Sequence, residues 1–112
     1  MKKQTLFFLQ LQNNIQLFHW NTTSFAAHKA SDKLYKNMVV LVDEFIEHSL
    51  ERVPSFNATL PVSNHTAAGF KKYIKQVCTV LEKMSLEKDQ ASIRDSMLGA
   101  LHEYLFLSNL HG

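Results

Sequence analysis

Apolar residues recur every three or four positions over four stretches of this 112-residue chain, and almost nothing interrupts them. Only three glycines and two prolines are present, so the periodic stretches can run long. Phe8, Leu11, Ile15 and Phe18 mark a first helix from about Lys3 to Trp20. Leu34, Met38, Leu41 and Phe45, widened by Tyr35, Val42 and Ile46, mark a second from about Ala26 to Arg52. Phe70, Ile74, Val77, Leu81 and Met84 mark a third from about Thr66 to Met84, with Asn64 or Ser63 as its cap. Ile93, Met97, Leu101, Tyr104 and Leu107 mark a fourth from about Ala91 to Asn109. The fold class expected is all-α.

Asn21-Thr22-Thr23-Ser24 reads as a tight turn, and Ser85 to Gln90 as a second. Pro54 to Ser63 is a longer link without helical period. Two helical hairpins joined by one long link give a four-helix bundle. The link permits either a crossover of the ferritin type or an up-down-up-down path. The length suits a single domain over residues 1–112. No apolar run is long enough to span a bilayer, and the stretch after Met1-Lys2-Lys3-Gln4 is too broken for a signal peptide. No membrane partner is expected. A net charge of +2 and the lack of a basic tail give no support to DNA binding. Cys78 is the only cysteine, so no intrachain disulfide can form, and a reducing cytoplasmic location fits. The three Asn-x-Thr triplets, at Asn21, Asn57 and Asn64, read as chance in such a compartment.

The chemistry-bearing residues are concentrated in the first half. His28 and Asp32 lie one helical turn apart, as do Asp43 and Glu47, and His19 precedes both pairs. Two imidazoles and three carboxylates suit iron or manganese. Eleven residues separate the pairs, close to three turns, so all four side chains share neighbouring arcs of one helix. At ~1.5 Å per residue the pairs sit roughly 22 Å apart along the axis, too far to share an ion. A second copy crossing antiparallel near Asn37 and Met38 would bring each His28/Asp32 pair against the other chain's Asp43/Glu47. A two-fold axis then makes two equal sites, and a homodimer is the minimum assembly expected.

Each feature has a plainer reading. A histidine at a helix end is usually structural, and two acids one turn apart usually form a solvated face that repels weakly. A cation would reverse that repulsion, and the joint pattern favours ligation because partially buried carboxylates, as these are expected to be, need a partner. Lys36 could pair with Asp32 or with a partner chain's acid. Glu44, His48, His65, His102 and His111 read as surface or structural residues. Cys78 and Met38, Met84 and Met97 have core spacing. The chain contains no Glu-x-x-His, the motif that builds di-iron sites inside one bundle. It also lacks a nucleophile elbow and a Gly-rich phosphate loop.

Phe18-His19-Trp20-Asn21, His28-x-x-x-Asp32 and Asp43-x-x-x-Glu47, taken in order, resemble the ferroxidase signature of the Dps-like miniferritins. The resemblance covers the first half of the chain. It implies a ferritin-like bundle and a di-iron site shared across a two-fold interface, with Mn or Zn able to stand in place of iron. His19, His28 and Asp32 would come from one chain and Asp43 and Glu47 from the other, with Trp20 beside the site. It implies a ferroxidase that oxidises Fe(II) with peroxide or dioxygen, stores iron, and assembles into a shell of usually twelve chains. The segment from His19 to His28 is shorter than usual for that family and lacks its Gly-Pro. Compact ferritin-like proteins also occur in phages and large DNA viruses, so host cytoplasm or a virion are both expected settings. The alternative is a ferritin-like structural or assembly module with a vestigial metal site.

Overall fold

The computed structural model describes residues 1–49 and 51–110. Four helices and no strand occur among them: α1 (Lys2–Asn21), α2 (Phe25–Glu47), α3 (Ala67–Glu82) and α4 (Lys88–Leu110). They form an elongated bundle of 41 × 30 × 20 Å. None is long and apolar enough to cross a membrane.

Each helix contributes one stripe to a shared core. Phe8, Leu11, Ile15 and Phe18 of α1 meet Leu34, Met38, Val42 and Phe45 of α2, and Phe70, Ile74, Val77 and Leu81 of α3 close the core with Met97, Leu101 and Tyr104 of α4. Each of these side chains is worth about 1.5–3 kcal/mol when fully buried. Aromatic contacts bind the layers together. The Phe18 and Phe70 rings stack at 4.1 Å, Phe8 lies 5.0 Å from Phe45, and Phe70 meets Tyr104 edge-on at 5.3 Å.

The caps follow the chemistry of the ends. Ser24 Oγ accepts from the Ala27 N–H at 3.2 Å and starts α2. Thr66 starts α3, its Oγ1 accepting from Gly69 N–H at 3.0 Å. The cap is thus Thr66, not Asn64 or Ser63, which lie too early to reach the first free amides.

Two helix boundaries lie three or more residues from the sequence expectation. α2 ends at Glu47 rather than Arg52, closed by His48, whose Nδ1–H donates to the Glu44 carbonyl at 2.8 Å. Leu50 lies outside the described residues. α4 begins at Lys88 rather than Ala91, so half of the expected polar turn is helical. Gln90 is held there by donating to the Phe45 carbonyl at 3.3 Å, a tertiary bond that local spacing could not reveal.

The long link runs the length of α1. The Met1 ammonium meets Glu51 at 3.4 Å, Gln10 donates to the Pro61 carbonyl at 3.0 Å, and Asn21 donates to Asn64 Oδ1 at 2.7 Å. Residues later in the link therefore pair with residues later in α1. The link leaves the end where α1 begins and returns the chain to the end where α2 begins. α3 consequently runs parallel to α2, and α2 packs chiefly on α4 and α1. Of the two paths open to the sequence, the chain takes the crossover.

Candidate metal half-sites on the face of α1 and α2

The turn Thr22–Ser24 folds the end of α1 onto the start of α2 and brings His19 against His28. Their rings stack at 3.9 Å with 22° between planes. His19 Nδ1 lies 2.9 Å from the His28 carbonyl, and His28 Nδ1 lies 2.9 Å from the His19 carbonyl. A carbonyl can only accept, so both Nδ1 atoms carry the proton. In each neutral ring the lone pair is then on Nε2. Fixing one nitrogen by a backbone carbonyl so that the other is free to ligate is how metal-binding histidines are usually oriented.

Asp32 completes this cluster. Its Oδ1 lies 3.9 Å from His19 Nε2, and its Oδ2 accepts from Lys36 Nζ at 2.9 Å. The Lys36 hydrogen bond, aided by nearby positive charge, holds the Asp32 carboxyl below its usual range. Ser31 is fully buried underneath. Its Oγ donates to the Ala27 carbonyl at 2.7 Å and lies 3.3 Å from His19 Nδ1. Ser31 carried no signal as a site residue, since only the folded turn places it beneath a ring from another helix.

Asp43 and Glu47 lie on the same helix, at the opposite end of the molecule. Both are exposed, on a shallow groove that α1 lines with Leu9 and Gln12 and α2 lines with Val39, Val40 and Ile46. Glu47 is raised above its usual range, chiefly through the hydrogen bond with Asp43 and that carboxylate's charge. A cation placed between the two would remove that conflict.

The structure therefore stacks His19 on His28, puts Asp32 within 3.9 Å of His19, and leaves Asp43 and Glu47 apart from them. Among the described residues of this single chain, no group of three or more His, Cys, Asp or Glu side chains is placed to hold an ion. His48 caps α2, His65 stacks on Tyr73 at 5.2 Å and His102 is exposed. His111 lies outside the described residues.

The two clusters open on one face. Phe25, Asp32, Lys36, Asp43 and Glu47 are spaced by 7, 4, 7 and 4 residues, which keeps them on one side of α2. Leu9, Gln16 and Trp20 follow the same rule on α1. This face carries four of the large apolar side chains left in water: Leu9, Trp20, Phe25 and Val40 are 40%, 66%, 74% and 57% exposed.

A family of unknown function, DUF5856, matches residues 19–107, a span that begins at His19 and holds all five candidate ligands. The chain belongs to that family. Comparison with curated proteins and with solved structures gives no match.

Proposed function

We propose that the protein is a ferroxidase of miniferritin type, acting as a two-fold dimer through the face of α1 and α2. One observation carries the reading. His19, His28 and Asp32 sit at one end of that face with both Nε2 atoms uncommitted, and Asp43 and Glu47 sit at the other. An antiparallel copy would lay one cluster on the other, giving two nitrogen and three carboxylate donors per site. The exposed Leu9, Val40, Trp20 and Phe25 on the same face give such a pairing apolar area to bury. The crossover between α2 and α3 supports a ferritin-like bundle, since that connection separates such folds from up-and-down bundles.

Fe(II) is the substrate in this reading. The imidazoles supply neutral donors that hold Fe(II). The carboxylates stabilise Fe(III) more strongly, because hard anionic oxygen favours the higher charge, and so lower the potential of the pair. Two Fe(II) ions give one electron each to one peroxide, whose O–O bond breaks to leave two hydroxides and two Fe(III). One carboxylate, Asp43 or Glu47, would bridge the two ions, and the charge of Asp43 that raises Glu47 would be offset there.

A second reading has one observation in its favour. Asp32 already has a cation in Lys36, so that carboxylate is neutralised without metal, as one in a vestigial site of an assembly module would be.

The deciding experiment is anaerobic Fe(II) titration followed by peroxide, on wild type and on Asp43→Ala and Glu47→Ala, with mass measured alongside. Saturable oxidation in the wild type, lost in both variants at unchanged helicity, is the expected result. Unchanged kinetics in both variants would refute the assignment. A metal-free protein that oxidises no iron would favour the module.

A further inference from the structure

Three lysines follow the α1–α2 turn on α2, and only one of them is aimed at the candidate site. Lys29 lies over the Phe25 ring, its Nζ 5.3 Å from the centroid. Lys33 pairs with Glu103 of α4. Lys36 reaches back one turn and donates to Asp32 Oδ2 at 2.9 Å, while His19 Nε2 faces the other oxygen, Oδ1. The carboxylate thus has an ammonium on one oxygen and an unprotonated imidazole nitrogen 3.9 Å from the other.

We infer that Lys36 is a built-in competitor for Asp32, a tethered cation that must be displaced before a metal ion can fill the site and that sets the concentration at which it fills. This inference rests on the proposed metal site. An ammonium offers Asp32 one positive charge and hydrogen bonds. A divalent transition ion offers twice the charge and also takes up the Nε2 lone pairs of His19 and His28, so it can win the exchange. The exchange is ion for ion, and Lys36 leaves with its proton. The Lys36 side chain is 71% exposed, so its released ammonium returns to water without a burial cost. Lys36 acts in these terms only through Asp32 and touches no substrate.

Exposed pairs of this kind shift equilibria modestly, which puts the expected effect at about two- to five-fold in metal affinity. Screening weakens such a pair, so the effect should shrink as salt rises.

The test is anaerobic Co(II) titration by calorimetry and visible absorption, at low and at high salt. It compares the wild type with Lys36→Met, Lys36→Arg and Lys29→Met. Lys36→Met should bind Co(II) about two- to five-fold more tightly at low salt, with the gap closing at high salt. Lys36→Arg, which keeps a donor for Asp32, should match the wild type. Lys29→Met removes the same charge from the same arc without freeing Asp32, and it too should match. Equal affinity in wild type and Lys36→Met overturns the competitor, as does an equal gain in Lys29→Met, which would mean a diffuse charge effect. Saturable Co(II) binding in none of the four proteins overturns the metal site and the competitor together.

Discussion

Two buried groups show how the surroundings of a single residue set its chemistry. The Cys78 thiol, packed between α3 and its neighbours, is pushed from 9.0 up to about 11, chiefly by burial. The Tyr104 phenol is pushed from 10.0 up to about 12 by the same cause. Both folded-state values are raised, so the stability they confer is complete below the unfolded values and is lost as pH rises through the folded ones. Stability should therefore fall between about pH 9 and 12, by up to about 3 kcal/mol for each group. Urea unfolding across that range should show a flatter alkaline limb in Cys78→Ala and in Tyr104→Phe. An unaltered limb in both would mean that other groups govern alkaline unfolding.

The five candidate ligands were legible at this same scale, because residue type and spacing are properties of the chain. What spacing could not show was their immediate company. The reciprocal bonds of His19 and His28 to each other's carbonyls depend on how tightly the Thr22–Ser24 turn closes. That closure decides which ring nitrogen keeps its lone pair.

At the scale of elements, the crossover link depends on a few polar anchors rather than on apolar burial. Asn14 is the central one. It is 2% exposed, its Nδ2 donates to Tyr73 Oη at 3.3 Å, and its Oδ1 accepts from the Ser63 amide at 3.1 Å. One side chain thus fixes α1 to both the link and α3. Asn14→Ala leaves the Ser63 amide without this partner and should cost about 2 kcal/mol. Hydrogen exchange at the Ser63 amide should quicken while helix content stays the same. Exchange as slow as in the wild type would show that Gln10 and Asn21 hold the link without help.

Helix number and most core positions were readable from periodicity, since a 3.6-residue repeat has one structural solution over such lengths, although Leu41, Met84, Ile93 and Leu107 are only half-buried and Val42 takes the place expected for Leu41. The helix ends were not. α2 stops five residues early because His48 closes it, and α4 starts three residues early because Gln90 finds the Phe45 carbonyl. End effects depend on single bonds, and periodicity averages over many residues.

For the whole molecule, the face of α1 and α2 carries the proposal. The proposed dimer makes a direct prediction. Val40 is 57% exposed and Leu9 is 40% exposed, so the double substitution Leu9→Glu and Val40→Glu should leave each chain folded. Placed near a two-fold axis, the four added carboxylates would repel across it. Light scattering should then report the mass of one chain for the variant and at least twice that for the wild type. A wild type that is monomeric at the concentrations used for iron oxidation would remove the basis for a shared site.

The sequence alone determined an all-helical chain of four amphipathic segments and a set of metal-type side chains in ordered pairs. Those depend on residue spacing along a helix, which the backbone repeat converts directly into faces. The tertiary structure decided the path of the link, the start of α4 and the tautomer of two histidines. Each of those turns on bonds between residues far apart in the chain or across a turn, and such bonds exist only once the core has brought the helices together.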